Sequence, residues 1–171
     1  MVRNVHTRLL RAPADEVGRL LDGVGGPHDE LWPGDRWPRL RLDRGLGAGS
    51  AGGHGPVRYS VERYVPGRSV SFRFAPSLGL IGTHTLELVA ATPTTTTLRH
   101  VLEGRPVGVM RLGWPLAVRW LHDALIEDLL DRAELRVHGA VARPARWSRW
   151  VRLLRALQAR RTARSASGGA R

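Results

Sequence analysis

Arg111–His138, RLGWPLAVRWLHDALIEDLLDRAELRVH, is the longest uninterrupted helical pattern in the chain. Pro115 suits a first helical turn, and neither Gly nor Pro follows it until Gly139. At ~1.5 Å per residue, Pro115 to Val137 spans roughly 34 Å, enough to cross a small domain. Trp114, Ala117, Val118, Leu121, Ala124, Leu125 and Leu129 share one face at helical spacing. Arg119, Asp123, Glu127, Asp131 and Glu134 fall on the other face. Carboxylates such as Asp128 and Asp131 read as a solvated helix surface. A helix of this kind needs an apolar surface to lie on.

The preceding stretch supplies one. Val57, Tyr59 and Val61 alternate with Arg58, Ser60 and Glu62; Val70, Phe72 and Phe74 alternate with Ser71 and Arg73. His84, Leu86, Leu88 and Ala90 alternate with Thr85, Glu87 and Val89; Leu98, His100 and Leu102 alternate with Arg99, Val101 and Glu103. Period-two alternation between short turns, such as Pro66-Gly67 and Thr92–Thr95, predicts half-buried antiparallel strands. Before them, Trp37–Leu42 reads as a short strand near an edge. Gly45–Gly55 has no Lys-Ser/Thr ending and is followed by a strand. It is therefore a glycine-rich hairpin or strand, not a phosphate loop. At the start, Val2–Leu10 reads as a strand, although Val5 and Leu9 share a parity that Leu10 does not. Ala12–Glu16 opens a helix with Pro13 and two acids in its first turn, and His28–Trp32 suggests a second short helical turn. The expected architecture is α+β: a curved antiparallel sheet of six to seven strands gripping the long helix, with two short helices after the first strand.

Charge and composition narrow the function. The chain has 171 residues and a net charge of +12. Residues 143–171 hold nine arginines and no acid, while the rest holds 18 arginines against 15 acids, a balance of +3. The expected organisation is a domain over residues 1–140, then a basic amphipathic helix and disordered tail over 141–171. All basic side chains are Arg, which reads as codon composition and weakens any assignment of single arginines to phosphates. Without cysteine there is no disulfide, thiol catalysis or zinc–thiolate site. The N-terminal stretch has no apolar core of a signal peptide, and no run reaches the ~20 apolar residues of a membrane span. A cytoplasmic protein, peripheral at a membrane through its tail, is the expectation.

Several segments resemble the START-like, or SRPBCC, superfamily. They are the opening strand with Ala12-Pro13-Ala14-Asp15-Glu16-Val17, the Tyr64-Val65-Pro66-Gly67-Arg68 turn, Gly82-Thr83-His84 with Thr97-Leu98-Arg99-His100, and Leu121-His122-Asp123. That group includes polyketide cyclases, lipid-transfer domains and pollen-allergen-like proteins of helix-grip fold. The resemblance spans residues 2–138 and carries no family-wide catalytic motif. It implies a cavity between sheet and long helix that takes a lipophilic small molecule, with no cofactor.

The candidate lining is Tyr59, Phe72, Phe74, His84, Leu86, His100, Leu102, Trp114, Leu121 and Leu125. His84 and His100 share the apolar parity of their strands, with His100 opposite Leu86 or Leu88. They are the candidate acid–base or ligand-orienting pair, and core histidines otherwise. No metal site is expected, since no third ligand is fixed by spacing. No Ser-His-Asp set can be assembled, so catalysis stays open. His122 reads as a boundary residue, and Trp37 and His54 as a rim. In the tail, Trp147, Trp150, Val151, Leu153, Leu154 and Leu157 form an apolar wheel face opposite Arg149, Arg152, Arg155 and Arg160. With Trp147, Trp150, Arg149, Arg152 and Leu154 at its edge, two readings stand side by side: an anionic membrane surface as partner, or a helix that packs back on the domain or stays disordered until something binds it. Nucleic acid is the lesser alternative, because it would leave the apolar face bare.

Overall fold

The computed structural model describes the backbone of residues 1–168 and the side chains of residues 1–160. Seven strands form one antiparallel sheet: β1 Val2–Leu10, β2 Arg41–Leu42, β3 Ala51–His54, β4 Val57–Val65, β5 Ser69–Phe74, β6 Leu80–Ala91 and β7 Thr96–Pro106. Their spatial order is β1-β7-β6-β5-β4-β3-β2. Consecutive strands pair as hairpins from β2 to β7, and β1 closes the far side against β7. The glycine-rich segment supplies β3. Its Gly52 and Gly53 lie so close to the carbonyls of Arg41 and Val57 that a Cβ at either would fall about 2 Å from an oxygen.

Helix α1, Ala14–Asp22, follows β1, with Pro13 at its N-cap and Asp15 and Glu16 in its first turn. The second short helix expected at His28–Trp32 does not form. The Asp29 carboxylate instead accepts backbone N–H bonds from Gly25, Leu31 and Trp32 at 2.8–2.9 Å, holding the segment in a side-chain-bonded turn that takes the Trp32 N–H a helical turn would have used.

The long helix is three consecutive segments: α2 Met110–Gly113, a π-helical turn Trp114–Val118, and α3 Arg119–His138. It starts five residues before Pro115, so Pro115 lies inside it. Proline has no N–H and crowds the carbonyl one turn back, and the helix widens to a π turn there. Two indoles bond carbonyls of this turn: Trp120 Nε1 donates to Pro115 O at 3.0 Å and Trp150 Nε1 to Leu116 O at 2.9 Å.

The sheet's inner residues, among them Val61, Val70, Phe72, Leu98 and Leu102, form one core with Leu125, Ile126, Leu129, Leu130 and Ala133 of α3 and Val17 and Leu21 of α1. The acidic face of α3 is only partly solvated: Asp123 and Glu127 stay part-exposed, while Asp128, Asp131 and Glu134 are covered. β1 presents Asn4, His6 and Arg8 to it, while Val5 and Leu9 point outward. Arg8 bonds Glu127, Asp131 and Glu134. Asp128, with a side chain 1% exposed, accepts from Arg36 Nη1 at 2.5 Å, Trp37 Nε1 at 2.7 Å and Trp147 Nε1 at 2.9 Å. The reading of Asp128 and Asp131 as a solvated face is corrected by strand β1 and the tail, which cover them.

The tail forms α4, Arg149–Gly168, and its described part docks on the domain. Trp147, Val151, Leu154, Arg155 and Gln158 turn inward; Trp150, Leu153 and Leu157 stay exposed. The predicted apolar wheel face is thus split, and Trp147 and Leu154 leave the expected membrane-facing set. The Arg155 guanidinium lies 4.5 Å from the Trp37 ring centre and donates to Arg36 O. The disordered tail end was expected in the stretch that includes residues 169–171, which lie outside the described residues.

Candidate functional site

Between the inner face of the sheet and the long helix lies a cavity of about 340 Å3. Its walls are Phe72 and Phe74 of β5, Leu80, His84 and Leu86 of β6, His100 and Leu102 of β7, and Met110, Trp114, Val118, Leu121, His122 and Leu125 of the long helix. Trp32, Trp37, Leu40 and His54 close one end, and Arg155 and Gln158 of α4 complete the wall there. Tyr59 does not reach the cavity. It is buried behind the lining, where the rings of Phe72 and His84 lie 5.0 Å away, and His54 Nδ1 lies 3.1 Å from its hydroxyl. A second hollow of about 220 Å3 opens beside Asp29, Asp35, Arg39 and Arg132. Its charges are partly matched within itself, Arg132 donating to Asp35 at 2.6 Å.

The polar content of the cavity wall is mostly imidazole. The register pairs His84 with Leu102 and His100 with Leu86, setting the two histidines diagonally on neighbouring strands. His84 is sandwiched between Phe72 and Phe74, both near-parallel at 4.9 Å. Its Nδ1 lies 3.3 Å from His100 Nε2. From His100 a row of rings continues outward, His122 at 5.0 Å and then His6 at 6.0 Å from His122. The row ends on carboxylates: His6 Nδ1 lies 2.7 Å from Glu127 Oε1, and His6 Nε2 lies 3.2 Å from Asp123 Oδ1.

The row changes charge along its length. Burial pushes His84 and His100 well below the ordinary histidine value, helped by the neighbouring imidazoles, and lowers His122 despite Asp123. His54 falls to about 4, chiefly through burial. Burial also opposes charge on His6, but its bonds to Asp123 and Glu127 prevail and raise it to about 9. At neutral pH the inner rings are neutral and the outermost is cationic. Two neutral imidazoles sharing one hydrogen bond leave one bare nitrogen and one N–H between them, whichever tautomers are present. Those free atoms are His84 Nε2 and His100 Nδ1, both buried without a protein partner. The pair can therefore accept a proton at one end and donate one at the other.

His6 escaped the sequence reading because β1 was judged by its apolar residues. The usable signal was charge: Asn4, His6 and Arg8 share one parity, and Asp123, Glu127, Asp131 and Glu134 recur at helical spacing. His122, read as a boundary residue, is the link between His100 and His6.

No family model matches the chain, and no curated protein matches it. Solved structures do. CalU16 from Micromonospora echinospora is 16% identical with a TM-score of 0.56, covering 91% of this chain and 83% of its own. Norcoclaurine synthase from Thalictrum flavum, in complex with dopamine and hydroxybenzaldehyde, is 15% identical at TM-score 0.55, covering 75% and 85%. A conserved protein of unknown function from Enterococcus faecalis is 13% identical at TM-score 0.59, covering 95% and 85%. This chain has the helix-grip fold. At such identities the likeness establishes the helix-grip architecture and leaves chemistry to the residues. Helix-grip proteins so matched include an enzyme caught with small aromatic molecules in its structure.

Proposed function

We propose that the protein binds or carries a lipophilic small molecule in the cavity between sheet and long helix, held at one point by the histidine row. The observation that carries this is a ligand-sized, mostly apolar space whose wall includes His84, His100 and His122, each with a buried ring nitrogen that has no protein partner. Buried polar atoms are normally satisfied, and a hydroxyl or carbonyl on an otherwise apolar ligand would meet a donor and an acceptor there. The test is native mass spectrometry of protein purified from its own cells, with a titration by an apolar fluorescent probe. A co-purified lipophile, and a probe that His100→Leu displaces without unfolding the chain, are expected. An empty protein that binds no probe would reject the proposal.

A second reading is acid–base catalysis of the cyclase or dehydratase kind, favoured by the direct His84–His100 contact. Such a pair can take a proton from one carbon or oxygen of a polyketide-like molecule and return one to another. In heavy water, a bound ketone would then gain deuterium beside its carbonyl, and His84→Leu would stop it. A carrier would leave the ketone unlabelled beyond its rate in buffer.

A third reading concerns how an apolar ligand arrives. Val109, Leu112, Leu116 and Trp120 are exposed along the outer side of the long helix's first turns, and Trp150, Leu153 and Leu157 along α4. The Trp150–Leu116 hydrogen bond joins the two stripes. With Arg149 and Arg152 exposed beside them, this face has the composition of an anionic membrane surface binder. Among the described residues no helix is long and apolar enough to cross a membrane.

A further inference from the structure

We propose that His6, His122 and Asp123 bind a single divalent transition-metal ion at the polar end of the cavity. Their donor atoms lie within 4.8 Å of one another. His6 Nε2 is 3.2 Å, and His122 Nδ1 3.8 Å, from the same Asp123 Oδ1. Donors around a four-coordinate zinc with bonds of about 2.0–2.1 Å stand roughly 3.4 Å apart. The set therefore closes by about 1.4 Å at most. The member that has to shift is His122, whose Nδ1 stands farther from Asp123 than His6 Nε2 does and whose ring nitrogens give up no hydrogen bond in moving.

The unpartnered imidazole is the independent observation. An ion-pair network explains His6, Asp123 and Glu127, but leaves His122 beside a carboxylate with nothing to bond. A cation satisfies it. The outer contacts are also those a metal site needs. Glu127 Oε1 holds His6 Nδ1 at 2.7 Å, which frees Nε2 for the metal, and Asn4 Nδ2 donates to Asp123 Oδ1 at 2.8 Å. Arg8 steadies Glu127 from behind. Two imidazoles and one carboxylate oxygen suit zinc, cobalt or iron(II) and disfavour calcium and magnesium, which prefer an all-oxygen shell. Three protein ligands leave a coordination position open. His122 lines the cavity, and His100 Nδ1 is also unpartnered nearby, so that position faces the cavity and would take water or a ligand oxygen. This last role rests on the ligand reading of the cavity; the metal site itself does not.

The test is titration of the full chain, free of any polyhistidine tag and stripped with chelator, by cobalt(II), followed by visible ligand-field absorption. One ion per chain, displaced by zinc, is expected. His122→Leu and Asp123→Asn should each weaken binding by about 100-fold or more, and Glu127→Gln by about 10- to 100-fold. His28→Gln, at an exposed site, should change nothing. X-ray absorption of the zinc form should show two imidazoles in the shell, a readout that does not depend on any variant folding. No saturable cobalt binding, or binding retained in folded His122→Leu, would overturn the proposal. Because no cavity ligand is present, that failure is separate from failure of the apolar probe to bind.

Discussion

Asp128 shows how one side chain can tie three parts of the chain together. It sits on the long helix and is bonded by Arg36 and Trp37 from the loop and by Trp147 from the tail. Asp128→Ala leaves two indole N–H groups and a half-exposed guanidinium without their acceptor. A loss of about 3 kcal/mol is expected, read as a lower urea midpoint at unchanged slope. Asp128→Asn, which keeps an acceptor oxygen, should lose less than half of that. The cavity histidines predict how stability follows pH. His54, His84 and His100 have folded-state values depressed below the unfolded value of about 6.5. The unfolded chain then binds more protons than the folded one once the pH falls below about 6.5, so stability declines on the acid side. It declines further until the folded-state values are passed, about 4 for His54. Urea midpoints at intervals from pH 8 to pH 5, with chelator present, should peak near about 7: below it the buried neutral imidazoles cost stability, and above it the contribution of His6, whose folded-state value is raised to about 9, is progressively lost. His100→Leu should make the acid-side fall shallower, and a midpoint constant down to pH 5 would contradict the burial of neutral imidazole.

At the scale of elements, the strands from β4 to β7 were legible because each has one apolar parity, and period two leaves little choice of face. The short turn at Thr92–Thr95 left His100 opposite Leu86 or Leu88, and the register selects Leu86. Strand β1 was harder, since its inward residues are the polar ones and only the acids of α3 make that reasonable. The loop after α1 was misread because Asp29 competes with helical bonding through its side chain, which no periodicity reports. The π turn was hidden for a related reason: Pro115 marks a helix start as readily as an interruption. That turn sets the phase between Met110 and Trp114 on one side and Leu121 and His122 on the other, all of which line the cavity. Pro115→Ala allows the widened turn to relax toward regular α geometry. Thermal stability should hold or rise by about 1 kcal/mol, while affinity for an apolar probe falls about 10-fold as Trp114 rotates off the cavity. Equal affinity with raised stability would show that the π turn does not shape the site.

Over the whole molecule, the tail is the part whose placement the sequence left open. Its amphipathic wheel was readable, but which half of an apolar face is covered depends on what Trp37 and Asp128 offer across the gap, and that is a tertiary matter. Truncation after Gly139 should lower stability through the lost Trp147–Asp128, Ala145–Asp131 and Ala142–Glu134 bonds. Sedimentation with vesicles tests the exposed stripe. The full chain should pellet with anionic but not neutral vesicles, less so at high salt, and the truncated chain should not pellet. Binding that survives truncation, or its absence in the full chain, would reject a membrane role for α4. The tail also bears on timing. Arg155 and Gln158 are the part of the cavity wall contributed by α4, a segment joined to the rest by the stretch from Gly139 to Ser148. Were the cavity to hold a guest, lifting of that segment would open a way out with the sheet and long helix still closed on each other. Residence time would then follow how often α4 detaches, and substitutions at Trp147 or Val151 would shorten it without altering the walls that determine which guest fits.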